Sequence, residues 1–141
     1  MKSLIDLEKI INSELTTKIN SSYINHEELR LTIDPEDISD VVLFLKNNPN
    51  TKFRQLIDIT AVDYPQNEKR FRLVYLLLSL ENNKRISIDY SIKENDLINS
   101  LTSIYPSANW MERKVFDMYG IVFKDHPDLR RILTDYNFEG H

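Results

Sequence analysis

The chain contains no cysteine among its 141 residues. Disulfides, thiolate-held iron–sulfur clusters and cysteine-ligated zinc sites are therefore excluded. Only 2 glycines are present, and their positions do not allow a glycine-rich phosphate-binding loop. The 3 histidines, at positions 26, 126 and 141, lack the close helical spacing that is typical of a metal site. We therefore expect no cofactor and no metal within this chain.

Long apolar runs and a surplus of basic residues are also missing. The run from Val74 to Leu78 is far shorter than the roughly 20 residues that a membrane-spanning helix needs. Asp6 and Glu8 near the start argue against a secretory signal or a transit peptide. The net charge of -4 argues against nonspecific binding of nucleic acid. The composition, 41% hydrophobic and 28% charged, is typical of one globular domain over residues 1–141.

The hydrophobic periodicity predicts an α+β fold. The predicted elements are a helix over 5–19, a strand over 23–33, a helix capped by Asp34 with Pro35 first, strands over 55–62, 70–80 and 85–92, helices over 93–105 and 110–119, and a short strand over 121–123. The strand over 70–80 is apolar on both faces in its second half, so we expect it in the sheet centre. This order favours two layers, a mixed or antiparallel sheet of about five strands with helices mainly on one face.

The stretch from Asn109 to Gly120 carries helix-boundary signals at both ends. Asn109 can cap the helix, and Glu112 three residues later would complete a capping box. Gly120 suits the left-handed position just past a helix end. These two signals predict a helix over 110–119.

The predicted helix is apolar over most of its circumference. Met111, Val115 and Met118 form one stripe, whereas Trp110 points roughly the other way, beside Arg113 and Asp117. A helix of this kind is expected to be buried on more than one side.

Glu112 lies within the apolar arc of this helix and therefore needs a partner if it is buried. Two interpretations remain open: a plain helix cap, or a buried ion pair with cations such as Arg130 and Arg131. A third, with Glu112 and His126 as the acid and base of a small enzyme, is the weakest, since no nucleophile or phosphate-binding motif accompanies them. An acid–base pair of Glu112 with Asp117 is not expected, because the two side chains point about 140° apart around the helix.

The segment after the helix is charged and bent by proline. Pro127 biases His126 towards an extended conformation. Arg130 and Arg131 present guanidinium groups suited to bidentate pairing with carboxylates across an interface. Two alternatives are a solvated turn and an RNA contact, and the pI near 5.4 argues against the latter.

Several of these residues together resemble a known signature. The segments Glu112-Arg113, Asp117-Met118-Tyr119-Gly120-Ile121, 126–135 and 138–141 resemble the C subunit of respiratory complex I, the proton-translocating NADH:quinone oxidoreductase. That protein is also called the thirty-kilodalton subunit. The resemblance is dense over 107–141 and looser upstream.

The resemblance implies a structural subunit of the peripheral arm that contains no redox centre and no catalytic residue. It implies docking on the D subunit, the large forty-nine-kilodalton subunit that shapes the quinone site. FMN, iron–sulfur clusters and quinone would be held by partner subunits, on the cytoplasmic side of a bacterial inner membrane or the matrix side of a mitochondrial one. An equivalent subunit of a related membrane-bound dehydrogenase or hydrogenase is the alternative. The implied interface residues are Trp110, Glu112, Arg113, Asp117, Gly120, His126, Pro127, Asp128, Leu129, Arg130 and Arg131.

The chain departs from the family pattern at two places. Lys114 stands where the family usually has an acidic residue, on the polar side of the helix, so surface charge should change and the fold should not. The family continues beyond the final Gly140-His141 with a basic, proline-containing extension. We therefore expect residues 121–141 to form an extended interface tail without that extension.

Overall fold

The computed structural model describes residues 1–127 and has the predicted α+β architecture. The helices are α1 (Leu4–Glu14), α2 (Ile38–Asn47) and α3 (Ala108–Tyr119), with a short 3-10 helix at Pro35–Asp37. The strands are β1 (Ser21–Asn25), β2 (Glu28–Thr32), β3 (Gln55–Asp63), β4 (Phe71–Ser79), β5 (Lys84–Ile92), β6 (Leu97–Asn99) and β7 (Val122–Lys124).

Five strands form one mixed sheet in the order β1-β2-β5-β4-β3. β2 runs parallel to β5, and the other neighbours are antiparallel. β4 lies between β5 and β3, one strand from the centre, which is occupied by β5. The strand is therefore interior, as its apolar sequence indicates, but not central as predicted. A separate two-stranded parallel sheet joins β6 to β7.

Burial alternates along β4 with the two-residue period of a strand that has one face in the core. Leu73, Tyr75 and Leu77 are buried in the same apolar cluster as the inward residues of the three helices. Val74 and Leu76, on the opposite face, are half-buried. The helices therefore cover mainly one face of the sheet, as predicted.

The predicted strand over 23–33 is a hairpin, not one strand. His26 and Glu27 form its two-residue turn with φ angles of 51° and 61°. Two positive φ values are typical of a type I′ turn, which normally takes Asn or Gly. Because neither residue is a turn former of that kind, the sequence contains no local signal for this turn.

The predicted helix over 93–105 is wrong. Asn95 has a φ of 73°, and the Asp96 carboxylate accepts a hydrogen bond from the Lys93 amide at 2.8 Å, which together make a turn. β6 then pairs with β7. A single turn follows, in which the Tyr105 amide donates a hydrogen bond to the Leu101 carbonyl. The apolar spacing resembles a helix, but the pairing with a distant strand overrides it.

One helix boundary differs from the prediction, and at another the predicted start at Asp34 and Pro35 is confirmed without the expected side-chain cap. α1 ends at Glu14 instead of continuing to residue 19. The Asp34 side chain does not cap the following helix; its carboxylate accepts a hydrogen bond from Asn20 at 2.9 Å. At Asp34, a contact with the segment before β1 therefore replaces the expected cap.

Candidate partner interface and its buried anchor

The sequence predicts the C-terminal end of α3 correctly but not its N-terminal cap. The predicted cap at Asn109 is wrong, because the N-cap residue is Ser107, whose hydroxyl donates to the Leu56 carbonyl at 3.2 Å instead of capping the helix. The predicted end is confirmed: Gly120 has a φ of 72°, and its amide donates to the Phe116 carbonyl at 2.8 Å.

One side of α3 enters the core. Ala108, Glu112 and Val115 are buried, and the Tyr119 ring meets the Phe71 ring edge-on with their centroids 6.0 Å apart. The helix lies against β3. Trp110 and Met118 are each 67% exposed. The second side of the helix is therefore open within residues 1–127, and its expected burial stays a prediction.

We call the outward side of α3 the Trp110 face, formed by Trp110, Arg113, Lys114, Asp117 and Met118. All five side chains are exposed, and they span an arc of about 140°. Lys114 approaches the Asp58 carboxylate at 3.8 Å. Large apolar side chains with arginine and a carboxylate between them make up the kind of surface that binds another protein.

Glu112 is the buried anchor beneath this face. Its side chain is fully buried, with one carboxyl oxygen 2.6 Å from the Ser100 hydroxyl and the other 2.7 Å from the Leu101 amide. The capping interpretation is therefore wrong. His126 is the basic side chain that approaches the carboxyl, with its Nε2 atom 4.0 Å away. The buried ion-pair interpretation thus fits the geometry whenever His126 is protonated. Arg130 and Arg131, the cations named from the sequence, lie outside the described residues.

His126 ties the chain after β7 to the start of α3. Its ring is fully buried, and Nε2 lies 2.8 Å from the Asn109 carbonyl oxygen. Because a carbonyl can only accept, Nε2 carries a hydrogen and donates it. Asp125, at a φ of 64°, turns the chain inward to this position, and Pro127 follows at the surface.

Burial raises the pKa of Glu112 to about 7, although the Leu101 amide and the Ser100 hydroxyl favour the charged form. Burial also raises the pKa of the Tyr75 and Tyr90 hydroxyls, which lie 2.6 Å apart in the core. Since Glu112 and His126 have no exposed surface, neither can touch an external substrate in this conformation. The arrangement therefore favours a structural role over acid–base chemistry on a substrate.

The structure places some predicted interface residues together and leaves others untested. Trp110, Arg113 and Asp117 share the exposed face, whereas Glu112 and His126 meet beneath it. Asp128, Leu129, Arg130 and Arg131 lie outside the described residues.

Ser100 and Leu101, which donate hydrogen bonds to the Glu112 carboxyl, were not among the predicted site residues. Both fall in a segment that the apolar spacing assigned to a helix, so their approach to α3 had no signal in the sequence.

Within residues 1–127, no three side chains of the metal-ligating types cluster closely enough to hold an ion. No helix in that part of the chain has the length and apolar character needed to cross a bilayer.

The chain resembles known proteins in both sequence and fold. A model of the respiratory-chain NADH dehydrogenase 30 kDa subunit family matches residues 31–141. The C subunit of NADH-quinone oxidoreductase from Chelativorans sp. strain BNC1 is 44% identical over 140 residues, which are 99% of this chain and 70% of the relative. The C subunit from Ruegeria sp. strain TM1040 is 46% identical over the full chain and 70% of its own length. The C subunit from Ruegeria pomeroyi is 53% identical over 114 residues, 81% of this chain and 57% of the relative.

Two solved structures share the fold. A trypsin-resistant fragment of Nqo5 superposes with a TM-score of 0.73 at 27% identity, over 86% of this chain and 97% of the fragment. A chain of the membrane-bound sulfane sulfur reductase, an archaeal respiratory membrane complex, gives a TM-score of 0.76 at 24% identity, over 86% of this chain and 70% of that one. Together with the family match, these similarities show that the chain belongs to the respiratory-chain NADH dehydrogenase 30 kDa subunit family, as the signature in its sequence predicted.

Proposed function

We propose that this chain is a structural subunit of the peripheral arm of a proton-translocating NADH:quinone oxidoreductase and that it docks on the large D subunit. Its relatives are named as the C subunit of that enzyme, which supports membership of the complex. The observation that carries the docking proposal is the Trp110 face. Trp110 and Met118, two large apolar side chains, are each 67% exposed on the helix that bears the family signature.

The chemistry of this face fits a buried contact with another protein. Truncating a well-buried tryptophan at the centre of an interface costs about 2 kcal/mol or more, because tryptophan has a large apolar area and few rotamers. Arg113 and Asp117 lie beside Trp110 and can pair with opposite charges on the partner, which fixes the register of the contact. We propose that Asp128, Leu129, Arg130 and Arg131, which lie outside the described residues, also contact the partner.

The proposal assigns electron transfer to the partner subunits. This chain has no thiol to hold an iron–sulfur cluster. FMN, the iron–sulfur clusters and quinone are accordingly placed in neighbouring subunits, and this chain positions the subunit on which it docks. The proposed location is peripheral, on the cytoplasmic side of a bacterial inner membrane or the matrix side of a mitochondrial one.

The double variant Trp110→Ala, Met118→Ala tests the docking surface. Removing both apolar side chains should weaken the association by about 30-fold or more, the equivalent of about 2 kcal/mol. The measurement is the amount of this chain that co-purifies with a tagged D subunit from cells that lack the wild-type copy. Circular dichroism of the free variant should remain that of the wild type, since both side chains are exposed.

Leu80→Ala is the matched control. Leu80 is 65% exposed at the turn after β4. The substitution therefore removes a large apolar side chain from a part of the surface outside the Trp110 face. This variant should co-purify like the wild type. Undiminished recovery of the double variant, or an equal loss in both variants, would remove the Trp110 face from the interface.

A further inference from the structure

The five-stranded sheet ends in two edge strands, β1 and β3. An edge strand carries backbone N–H and C=O groups that have no ladder partner on its outer side, so it can pair with a strand of another chain. Proteins normally protect such edges with bulges, charged side chains, proline or a covering element. The two edges of this sheet differ in that protection.

The β3 edge is protected. Its register with β4 shifts between Leu56 and Asp58, which marks a bulge. The Asp58 carboxylate accepts a hydrogen bond from the Ile59 amide at 2.9 Å, and the Leu56 carbonyl accepts one from the Ser107 hydroxyl at 3.2 Å. Lys114 on α3 also approaches Asp58 at 3.8 Å. Side chains therefore occupy backbone groups of β3 that an added strand would need.

The β1 edge has none of these features. Its five residues, Ser21–Asn25, pair with β2 in an unbroken antiparallel register and include no charged residue and no proline. α1 contacts both β1 and β2, so it lies over a face of the sheet, where its Glu8 and Asn12 side chains hydrogen bond the Ser22 hydroxyl. Within residues 1–127, β2 is the only strand that pairs with β1. The outer edge of β1 is therefore open in this part of the chain.

The hairpin register decides which backbone groups of β1 face outward. A two-residue turn joins β1 to β2, so that Asn25 lies directly opposite Glu28. In such a hairpin the residues that flank the turn form a hydrogen-bonded pair, and these pairs alternate along the ladder. Asn25 and Tyr23 therefore bond to β2, whereas Ser22 and Ile24 direct their N–H and C=O groups to the open edge.

The side chains beside this edge are suited to a further strand. Ile24 lies opposite the core residue Leu29, on the helix-covered face, and is 39% exposed. Tyr23 lies on the other face and is 48% exposed. A strand at the usual spacing of about 4.8 Å would cover part of both side chains. A row of backbone donors and acceptors matches only an extended segment, and the uncharged β1 favours apolar, uncharged residues in that segment.

We propose that the outer edge of β1 binds an extended, apolar segment of a neighbouring subunit, which adds to the sheet as a further strand. A second copy of this chain fits less well, because two chains that each have a net charge of -4 repel one another. This inference rests on the proposed function for membership of the complex. It concerns a different surface, since α3 lies against β3 and β1 is at the opposite edge of the sheet.

Hydrogen exchange, measured residue by residue, compares the free full chain with the intact complex. In the free chain the amides of Tyr23 and Asn25 should exchange slowly, and those of Ser22 and Ile24 quickly. In the complex the Ser22 and Ile24 amides should slow by about tenfold or more, because the added strand accepts their hydrogens. Unchanged exchange in the complex would overturn the proposal. Slow exchange of both amides in the free chain would also overturn it, since the edge would then be covered without a partner.

Ile24→Pro tests whether the contact is a hydrogen-bonded strand. Proline removes the outward N–H and is tolerated on an edge strand where that group faces away from the ladder. Recovery of the variant in the complex, from cells that lack the wild-type copy, should fall about fivefold or more, because one hydrogen bond is worth about 1 kcal/mol.

Ile24→Val is the matched control for the proline variant. It keeps the N–H and a branched apolar side chain, so it should be recovered like the wild type. Wild-type recovery of a folded Ile24→Pro variant, or an equal loss in both variants, would overturn the strand pairing. If the free proline variant does not fold by circular dichroism, the exchange comparison on the wild type decides alone.

A photo-activatable benzoyl-phenylalanine at position 23 in the intact complex identifies the occupant. A crosslink to another subunit supports the proposal, and a crosslink to a second copy of this chain overturns it. If the Trp110→Ala, Met118→Ala variant loses the D subunit while Ile24→Pro assembles normally, the docking proposal stands and the strand addition falls. If Ile24→Pro fails to assemble while the double variant assembles, the strand addition stands and the docking proposal falls.

Discussion

At the scale of single residues, Glu112 determines how the region beneath the Trp110 face behaves. Its carboxyl is fully buried, yet it has two donors from the chain and one basic neighbour. Burial disfavours the charged form more strongly than these contacts favour it, so the pKa is raised to about 7 from 4.5. A difference of this size corresponds to about 3 kcal/mol between the two protonation states.

This shift predicts how stability depends on pH. The folded chain binds the Glu112 proton more tightly than the unfolded chain does, so the contribution of Glu112 to the free energy of unfolding falls as pH rises from 4.5 to about 7. Above that window the full cost of burying the ionised Glu112 carboxylate lowers the free energy of unfolding. Below it Glu112 is protonated in both the folded and the unfolded chain, and this cost is absent. Urea unfolding on both sides of the window should show this fall for the wild type.

The Glu112→Gln variant should lose that contribution, because an amide does not ionise. The difference between variant and wild-type stability should change by about 3 kcal/mol across the window, in favour of the variant at the higher pH. Glu14→Gln, at an exposed position on α1, is the control and should follow the wild type. A difference that does not vary with pH would mean that Glu112 titrates like an exposed carboxyl.

The sequence predicts that Glu112 lies on an apolar side of its helix and needs a partner, but it does not predict which residues are its hydrogen-bond partners. A carboxylate inside an apolar helical arc is visible from periodicity alone. Ser100 and Leu101, by contrast, reach it only because β6 pairs with β7, and no local pattern reports a pairing between strands so far apart. His126 could be named as a candidate from its chemistry, but its contact with Asn109 could not.

At the scale of secondary-structure elements, the end of α3 is fixed by one residue. Gly120 adopts a φ of 72°, a left-handed conformation that costs residues with a side chain about 1 kcal/mol or more. A Cβ atom added there would have no neighbour within 4 Å. Any loss of stability on substitution should therefore come from the backbone and not from a clash.

Substitutions at Gly120 should follow backbone preference. Gly120→Ala should lower the free energy of unfolding by about 1 kcal/mol, and Gly120→Val by more, since β-branched residues adopt positive φ least readily. Gly120→Asn should lower it less than alanine, because asparagine tolerates this conformation. Thermal or urea unfolding measures the series. Equal stability for glycine and alanine would show that this position does not hold the left-handed conformation in solution.

The elements that the sequence predicts well are those with a boundary signal of their own. Gly120 ends α3 where expected, and the alternation along β4 identifies a half-buried strand. The segment 93–105 misleads because its apolar residues contact the core from a short strand and a turn, with a spacing that also fits a helix. Asn95, in its left-handed conformation, and the Asp96 side chain, which accepts from the Lys93 amide, are local features that oppose that helix.

At the scale of the whole molecule, the α+β class follows from the order of elements, whereas the sheet order does not. β2 and β5 pair in parallel although more than fifty residues separate them, and nothing in either strand specifies that neighbour. The pairing matters for function because it completes the layer against which α1, α2 and α3 pack. α3 itself lies against β3, at the other edge of the sheet, with one side in the core and the Trp110 face outward.

The Trp110 face is also the part of the account that depends most on the rest of the complex. In residues 1–127 it is open, with Trp110 and Met118 each 67% exposed. In the proposed function, another subunit covers this face. What the sequence could not predict is which apolar residues of α3 remain exposed, since Met118 shares its stripe with Val115, which is buried.

The most direct measurement places a photo-activatable benzoyl-phenylalanine at position 110 in the intact complex and identifies the subunit that crosslinks to it. We expect a crosslink to the D subunit, and a much lower yield from the same group at position 80, where Leu80 lies on the turn after β4. A crosslink from position 110 to a different subunit, or yields from positions 110 and 80 that are equal, would contradict the account.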